Sequence, residues 1–361
     1  MEYSEEIYKG FYTITGIVSR HISMANTPFS LISFYALKYL PEILRQGFAS
    51  PGRNGPYNDE DTAVRNSAHW LMTYGYMYEI TKQRRYLQAA KLLANFLQKS
   101  ALRPFGYTFE CRRTAAKDRC NGLIGQAWVI ESLVNAGKLL HDISLIRLAI
   151  KIFWIHPFNT RHGLWHRVEI TGKKLSLDPT LNHQIWFAAA ASQIGDQNIN
   201  TRVNQFLNKL VSNFEIDNQG LIYHPILNLI KPKIFGMDIN IPVSGYEHQK
   251  YLTKSIGYHA FNLYALALLK QNYSSHNFWE HENLKTALEY SLSPAYQQAL
   301  INNIYGYPYN PVGYELPFIF RVFFPGKNFT LKEWLTKQTA AGNNTVDLQT
   351  YDARIYELTR V

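Results

Sequence analysis

A repeat of about 57 residues runs through the middle of this 361-residue chain and limits its fold more than any other feature. Glycines open three similar aromatic segments at Gly106, Gly163 and Gly220, and both intervals between them are 57 residues. Each segment follows two helical stretches and precedes a polar loop. Hairpins of helices at such a period cannot bury both faces alone, so they stack on their neighbours.

The predicted helices keep the same spacing. In order, they span 28–45, 63–80, 83–99, 122–139, 144–155, 181–194, 198–211, 255–271, 282–292, 313–324 and 347–358. The acidic run 59–61 with Thr62 predicts an N-terminal cap for the second helix. A longer insertion rich in Pro and Ile precedes the helix at 255. The first helix of a pair is rich in small residues, as at 188–191, which suits a crowded inner layer.

Stacked helix pairs form either an open solenoid or a closed ring. About six pairs in 361 residues is the size of a closed ring, whereas an open array would usually be longer and carry polar caps. We therefore predict a single all-α domain over residues 1–361. Its fold would be an (α/α)6 toroid, or six-hairpin barrel, with short β-hairpins in its loops.

Composition excludes several classes of protein. No stretch of about 18 uncharged apolar residues occurs, so no membrane span is expected. The start, MEYSEEIYKGFY, lacks a basic region followed by an apolar one, and we expect a cytoplasmic protein. The net charge of +10 favours an anionic partner. Because the basic residues are scattered and no nucleic-acid motif occurs, an acidic saccharide is the expected partner rather than nucleic acid.

Cofactor and metal signals are sparse. No glycine-rich phosphate loop, dinucleotide fingerprint or dense metal-ligand motif occurs, so no cofactor or metal is expected. Cys111 and Cys120 are expected to be a reduced intracellular pair. A zinc site made by both cysteines and one histidine remains open, as does calcium held by Asp59 and Asp61.

The loops that lead into the inner helices should converge at one end of the ring, and they carry the chemistry-bearing residues. The candidates for sugar binding are Arg65, His69, Arg119, Asn121, Trp128, Trp165, Asn182, His183, Trp186, Glu247, His248 and Glu315. Aromatic faces pack on pyranose rings, and carboxylates and amides bind hydroxyl groups. Arginines such as Arg65 and Arg119 could bind a sugar carboxylate or phosphate.

The segment Asp178-Pro-Thr-Leu-Asn-His-Gln-Ile-Trp-Phe-Ala-Ala resembles the start of an inner helix in six-hairpin glycosidases such as the unsaturated glucuronyl and rhamnogalacturonyl hydrolases. In that family an Asp at this place acts as general acid and base, which the resemblance assigns to Asp178. A second Asp one repeat earlier corresponds to Asp118. The sequence also resembles proteins of similar fold that tend to be encoded in surface-glycan gene clusters.

Three functions follow as hypotheses. The leading one is a glycosidase or glycan-processing enzyme acting on a charged saccharide, with Asp178 as general acid and base and Asp118 as its partner. The second is an isomerase of the sugar 2-epimerase kind, using two of His183, His248 and His259, or a uronate polysaccharide lyase. The third is a non-catalytic glycan-binding or assembly protein. Sequence leaves the oligomeric state undetermined.

Overall fold

The computed structural model describes residues 27–230, 233–234, 237–238, 245–327, 329–342 and 344–361. The side chains of 233–234, 237–238 and 245–248 lie outside this description. The first twelve residues, on which the expectation about a signal peptide rests, also lie outside it.

The described chain is mainly helical. The helices are α1 (Pro28–Gln46), α2 (Val64–Thr81), α3 (Arg84–Gln98), α4 (Gly122–Leu140), α5 (Ile143–Ile155), α6 (Leu181–Ala191), α7 (Gln197–Leu210), α8 (Leu227–Ile230), α9 (Gly245–Asn272), α10 (Glu282–Leu292), α11 (Pro294–Ala299), α12 (Val312–Phe323), α13 (Leu331–Gly342) and α14 (Leu348–Ala353). Short 3-10 turns occur at Gly55–Tyr57, Ser100–Leu102 and Asn277–Glu280, and a longer one spans Arg354–Arg360.

The inner helices form a closed ring. Helices α2, α4, α6, α9 and α12 each pack on the next in that order. The 3-10 segment Arg354–Arg360 contacts both α12 and α2 and takes the sixth inner position. Helices α3, α5, α7, α10 and α13 pack on the outside, and α1 covers the 3-10 segment. The predicted (α/α)6 toroid is therefore confirmed.

Small side chains allow the inner layer to form. Ala188, Ala189, Ala190 and Ala191 on α6 are all completely buried, as is Gly137 on α4 from a neighbouring pair. Because α4 and α6 bury residues around most of their circumference, they show little amphipathic character, whereas α3 and α7 bury one stripe only.

The repeat in the sequence corresponds to a repeat of hydrogen bonds. The Gln126 amide accepts from the Phe109 N–H at 2.8 Å and donates to the Phe109 carbonyl at 3.0 Å. Gln184 binds the backbone of Trp165 in the same way, at 3.0 and 2.9 Å. In the fourth pair, His259 Nδ1 accepts from the Ile222 N–H at 3.2 Å. Each inner helix thus holds the extended segment that precedes it.

Short strands occupy the loops, as predicted. β1 (Phe158–Asn159), β2 (Leu164–Val168) and β3 (Lys174–Leu177) form an antiparallel sheet in that order. β4 (Lys233–Ile234) and β5 (Met237–Asp238) form a hairpin. Within the described ranges, we find no helix with the length and apolar character needed to cross a bilayer.

The structure corrects three predictions about the helices. Helix α9 begins at Gly245, ten residues before the predicted start at 255. The sequence pattern misses these first turns because they are polar and carry no apolar period. Helix α13 was not predicted, since only a few of its side chains are apolar and buried. The acidic run before α2 does not cap it: the N-cap is Ala63, while Asp59 binds Asn54 and Lys117 instead.

Candidate functional site

A cavity of about 370 Å³ lies where the loops lead into the inner helices, and all six helix pairs contribute to it. Its described lining consists of Asn54, Tyr57, Arg65, Arg112, Lys117, Asn121, Ile124, Trp128, Thr180, Asn182, His183, His224, Lys254, Tyr258, Phe261, Tyr309, Asn310 and Arg354. Its size falls within the range of small-molecule sites.

The lining is strongly cationic. Five of its side chains are Arg or Lys, two are His, and none of the lining residues that the structure describes is Asp or Glu. Arg65 and Arg354 are almost completely buried, whereas Lys117 is partly exposed. The cavity therefore has an inner part at Arg65 and Arg354 and an outer part towards Lys117.

His183 on α6 lines the cavity and is held by a carboxylate behind it. Its Nδ1 lies 2.9 Å from Oδ2 of Asp178, and 22% of its side chain is exposed. Asp178 is buried and also accepts from the Leu123 N–H at 3.0 Å and the Thr180 N–H at 3.1 Å. Of the described residues, none gives His183 Nε2 a hydrogen-bond partner, so this nitrogen is available to a ligand.

Asp178 is an ionised group in this environment. Burial alone would raise its pKa, but the charge and hydrogen bond of His183 and the two backbone N–H groups outweigh that effect and lower the pKa to about 2. A general acid must be protonated near its working pH. The surroundings of Asp178 therefore favour a role in orienting His183.

Gly122 makes the approach of these two residues possible. It begins α4 with a φ of +59°, and a Cβ at this position would lie 2.7 Å from both Asp178 Oδ2 and His183 Nδ1. The backbone of α4 thus packs directly on the pair, and only glycine fits there.

Arg65 on α2 lines the cavity and has donors that no described group uses. Its guanidinium lies 4.3 Å from the Trp128 ring centroid, and Nη1 donates to Asn54 Oδ1 at 2.6 Å. Its Nε and Nη2 and the Trp128 Nε1 have no hydrogen-bond partner among the described residues, although all are buried. Buried donors are normally paired, so a polar group that came within reach of these atoms would gain hydrogen bonds.

Asp61 lies behind Arg65, with Oδ2 3.8 Å from Nη1. Neither of its carboxylate oxygens has a hydrogen-bond partner in the described part of the chain. Burial raises the pKa of Asp61 to about 7, although Arg65 opposes the shift. The Asp61 carboxyl is therefore partly protonated near neutral pH.

A second histidine, His224, lines the cavity from the loop of the third pair. Its ring centroid is 4.4 Å from that of Tyr258, and its Nδ1 is 3.2 Å from Asn182 Nδ2. Burial, together with the charge of Lys254, lowers the pKa of His224 to about 3. His224 is therefore neutral at pH 7 and can accept or donate a hydrogen bond.

Arg354 comes from the 3-10 segment that closes the ring. It donates to Glu357 at 2.6 Å, to Glu315 at 2.7 Å and to Asn310 at 3.0 Å. Burial and mutual repulsion raise the pKa of Glu315, although Arg354 opposes the shift. Glu315, a predicted substrate residue, thus supports Arg354 from outside the cavity.

The other predicted residues fall into two groups. Asn121, Trp128 and Asn182 line the cavity with Arg65 and His183. The others lie outside the lining. His69 stacks on Tyr356 behind Trp128, and both Trp165 and Trp186 are buried in the core. Arg119 pairs with Glu110, and Asp118 pairs with Arg112 and Arg167. The side chains of Glu247 and His248 lie outside the described residues.

No family model matches the chain. One curated relative, archaeal glycosylation protein Q from Haloferax volcanii, is 36% identical over 345 residues, which cover 87% of this chain and 92% of the relative. The chain belongs to the archaeal glycosylation protein Q family.

Solved structures similar to this family member share its fold at low identity. Cellobiose 2-epimerase from Spirochaeta thermophila matches 92% of this chain and 97% of its own, with a TM-score of 0.55 and 12% identity. An inactive variant of an α-1,6-mannanase from Salegentibacter sp., in complex with α-1,6-mannotetrose, matches 90% of this chain and 98% of its own, with a TM-score of 0.53 and 13% identity. These likenesses support the toroid.

Several cavity residues of this family member were not predicted. They are Asn54, Tyr57, Lys117, Lys254, Tyr258, Phe261, Tyr309 and Arg354. A signal for three of them exists in the sequence: Lys254, Tyr258 and Phe261 follow an i, i+4, i+7 pattern on α9. The late predicted start of that helix hid this pattern.

The two cysteines are buried and unpaired. Cys111 and Cys120 are both free thiols, and burial raises the pKa of each. Among the described residues there is no group of three or more His, Cys, Asp or Glu placed to hold a metal ion.

Proposed function

We propose that this protein is a glycan-processing enzyme that acts on an anionic sugar, and that it moves a proton at a ring carbon through His183. The observation that carries the proposal is the cavity lining: a carboxylate-oriented imidazole faces a cationic pocket. The relative from Haloferax volcanii is named for glycosylation, which supports a glycan as substrate.

The chemistry suits a uronate. The Arg65 guanidinium, which lines the cavity, would bind the sugar carboxylate. The proton on the carbon next to that carboxylate becomes removable when a cation stabilises the negative charge that develops on the carboxylate oxygens. His183 Nε2 would accept this proton, leaving the electron pair delocalised over the carbon and carboxylate.

Two outcomes start from that step. If a proton returns to the other face of the carbon, the product is an epimer of the substrate, with no net change in atoms. If a glycosidic oxygen on the adjacent carbon leaves instead, it takes up a proton from an acid such as the imidazolium of His183, a double bond forms between the two carbons, and the chain is cut. His224, which lines the same cavity and is neutral, is the candidate for the second proton transfer in the epimerase route.

The roles of the two predicted aspartates follow from their contacts. In the proposal Asp178 orients His183 and stabilises its protonated form, as a carboxylate does in a catalytic triad. Asp118 holds Arg112 at 3.1 Å and accepts from the Gly122 N–H at 2.8 Å, so it positions the start of α4.

Hydrolysis by a carboxyl group is the second candidate, and Asp61 favours it. A glycosidase needs a carboxylic acid that stays protonated near neutral pH. Asp61 has a pKa of about 7 and lies beside Arg65, which lines the cavity. In this hypothesis a ligand displaces the Arg65 side chain, and its glycosidic oxygen then comes to lie beside the Asp61 carboxyl.

The test uses uronate monosaccharides and oligosaccharides in deuterated water, with products followed by mass spectrometry and NMR. We expect deuterium to enter the sugar ring, and His183→Gln to lower the rate by about 10²-fold or more, the scale of a lost acid–base group. Cleavage with addition of water, unaffected by His183→Gln and abolished by Asp61→Asn, would overturn the proton-transfer proposal in favour of hydrolysis. Binding with no turnover would identify a recognition protein.

A further inference from the structure

The outer part of the cavity carries more positive than negative charge. Arg112, Lys117 and Lys254 line it, and Arg167 lies behind Arg112. The described carboxylates that pair with these four cations are those of Asp59 and Asp118. Two positive charges are therefore left without a compensating carboxylate in the described part of the chain.

Lys254 is the cation with the least compensation. It is half-buried on α9, and no described carboxylate pairs with it. Its Nζ lies 4.9 Å from the Tyr57 ring centroid and 5.6 Å from that of Tyr305. Burial and the charges of Lys250 and Lys117 lower the pKa of Lys254. This is the direction expected for a cation that has positive neighbours and no carboxylate close by.

Lys117 lies against the same tyrosine. Its Nζ is 5.6 Å from the Tyr57 ring centroid, so two ammonium groups face one ring. Arg65 contacts a different ring: its guanidinium is 5.8 Å from the Tyr309 centroid, which is 6.0 Å from that of Tyr57. The inner and outer cations thus belong to separate positions in one cavity.

We infer that the cavity has a second anion-binding position, formed by Lys117 and Lys254 beside Tyr57, and that the substrate therefore carries two anionic groups. This inference rests on the proposed function, in which the first anion is a sugar carboxylate at Arg65. The second anion is either a phosphate on the anomeric oxygen or the carboxylate of an adjacent acidic sugar.

The test measures binding by calorimetry at fixed salt. The probes are galacturonate, galacturonate 1-phosphate, digalacturonate and galactose 1-phosphate. We expect one or both of the dianionic compounds to bind about tenfold more tightly than galacturonate, the scale of a charge-assisted contact in a partly buried site. A gain with the phosphate alone identifies a glycosyl phosphate, and a gain with digalacturonate identifies an acidic oligosaccharide.

Lys254→Met should remove the dianion's advantage, whereas Lys250→Met, an exposed lysine one turn away on α9, should keep it. If Lys254→Met and Lys250→Met lose affinity for the dianions equally, the gain comes from general surface charge, and the second anion-binding position is overturned. Equal affinity of wild type for galacturonate and the dianions would overturn it too, while the proposed function stands. If no acidic sugar binds and Arg65→Met changes nothing, both the second position and the proposed function fail.

Discussion

Nδ1 of His183 lies 2.9 Å from Oδ2 of Asp178, and that oxygen also accepts the backbone N–H of Leu123. The carboxylate that the sequence assigns to acid–base chemistry is thus shared between an imidazole and the first turn of α4. This geometry fixes the orientation of the ring and leaves its Nε2 for a ligand.

Asp178→Asn should lower the catalytic rate by about 10²- to 10⁴-fold with a smaller change in KM, because the histidine loses its negative partner and its preferred tautomer. Steady-state kinetics would measure both constants on the uronate that the deuterium-exchange experiment identifies as substrate. Asp196→Asn, which changes an N-cap carboxylate of α7, is the matched control and should behave like wild type. A rise in KM that is larger than the fall in catalytic rate would contradict an orienting role for Asp178.

Gly122→Ala should damage the site specifically. The added Cβ would meet Asp178 and His183 at 2.7 Å, so the pair must separate. Gly106→Ala is the control, since Gly106 also has a positive φ (+79°) but no atom within 4 Å of the added Cβ. Both variants should lose about 1 kcal/mol of unfolding free energy from backbone strain, but only Gly122→Ala should lose activity. Equal activities would show that the contact is dispensable.

His259→Gln should fold and resist acid better than wild type. Gln already occupies this place in α4 and α6, where it binds the preceding segment. Burial lowers the pKa of His259 to about 3, below the value of 6.5 expected in the unfolded chain. The unfolded state therefore binds a proton at His259 before the folded state does. The contribution of His259 to folding stability is full above pH 6.5 and falls as the pH drops through that value towards 3.

Between pH 7.5 and 5.5 the stability of wild type should fall by about 1.4 kcal/mol relative to the variant. Urea unfolding of both proteins at the two pH values measures this difference. Parallel pH profiles would contradict the role assigned to burial.

Arg354→Met should destabilise the protein by about 3–5 kcal/mol, because it leaves Glu315 and Glu357 buried without their shared cation. Thermal and chemical unfolding would measure the loss. A triple variant that also carries Glu315→Gln and Glu357→Gln should recover part of the stability, since no uncompensated charge remains. No recovery in the triple variant would contradict the assignment of the loss to two unpaired carboxylates.

The repeat made the ring predictable. The 57-residue spacing, the alanine-rich inner helix and the N-terminal bounds of α4 and α6 are local features, and the structure retains all of them. The resemblance around Asp178 pointed to the end of the ring where the cavity lies. Of the predicted substrate residues, Arg65, Asn121, Trp128, Asn182 and His183 line one cavity.

The remainder depends on contacts that no local pattern encodes. Trp165 and Trp186 look like sugar platforms by position, but the curvature of the ring turns them into the core. Arg354 comes from a segment whose helical pattern is weak, and its place in the cavity follows only from closure of the ring. Asp178 is kept ionised by His183 in its own segment and by the backbone N–H of Leu123, which lies about one repeat away.

The seam of the ring joins residues that are far apart in the chain. Tyr39 on α1 donates to Asp352 at 2.7 Å across 313 positions of sequence, and Arg360 reaches Glu131 across 229. We expect contacts at such separation to form late in folding, because the entropy of loop closure must be overcome before they contribute stability. The same segment brings Arg354 to the cavity. A chain that has not yet shut its seam is therefore also unable to hold its ligand, so ligand affinity can serve as an assay for the final folding step.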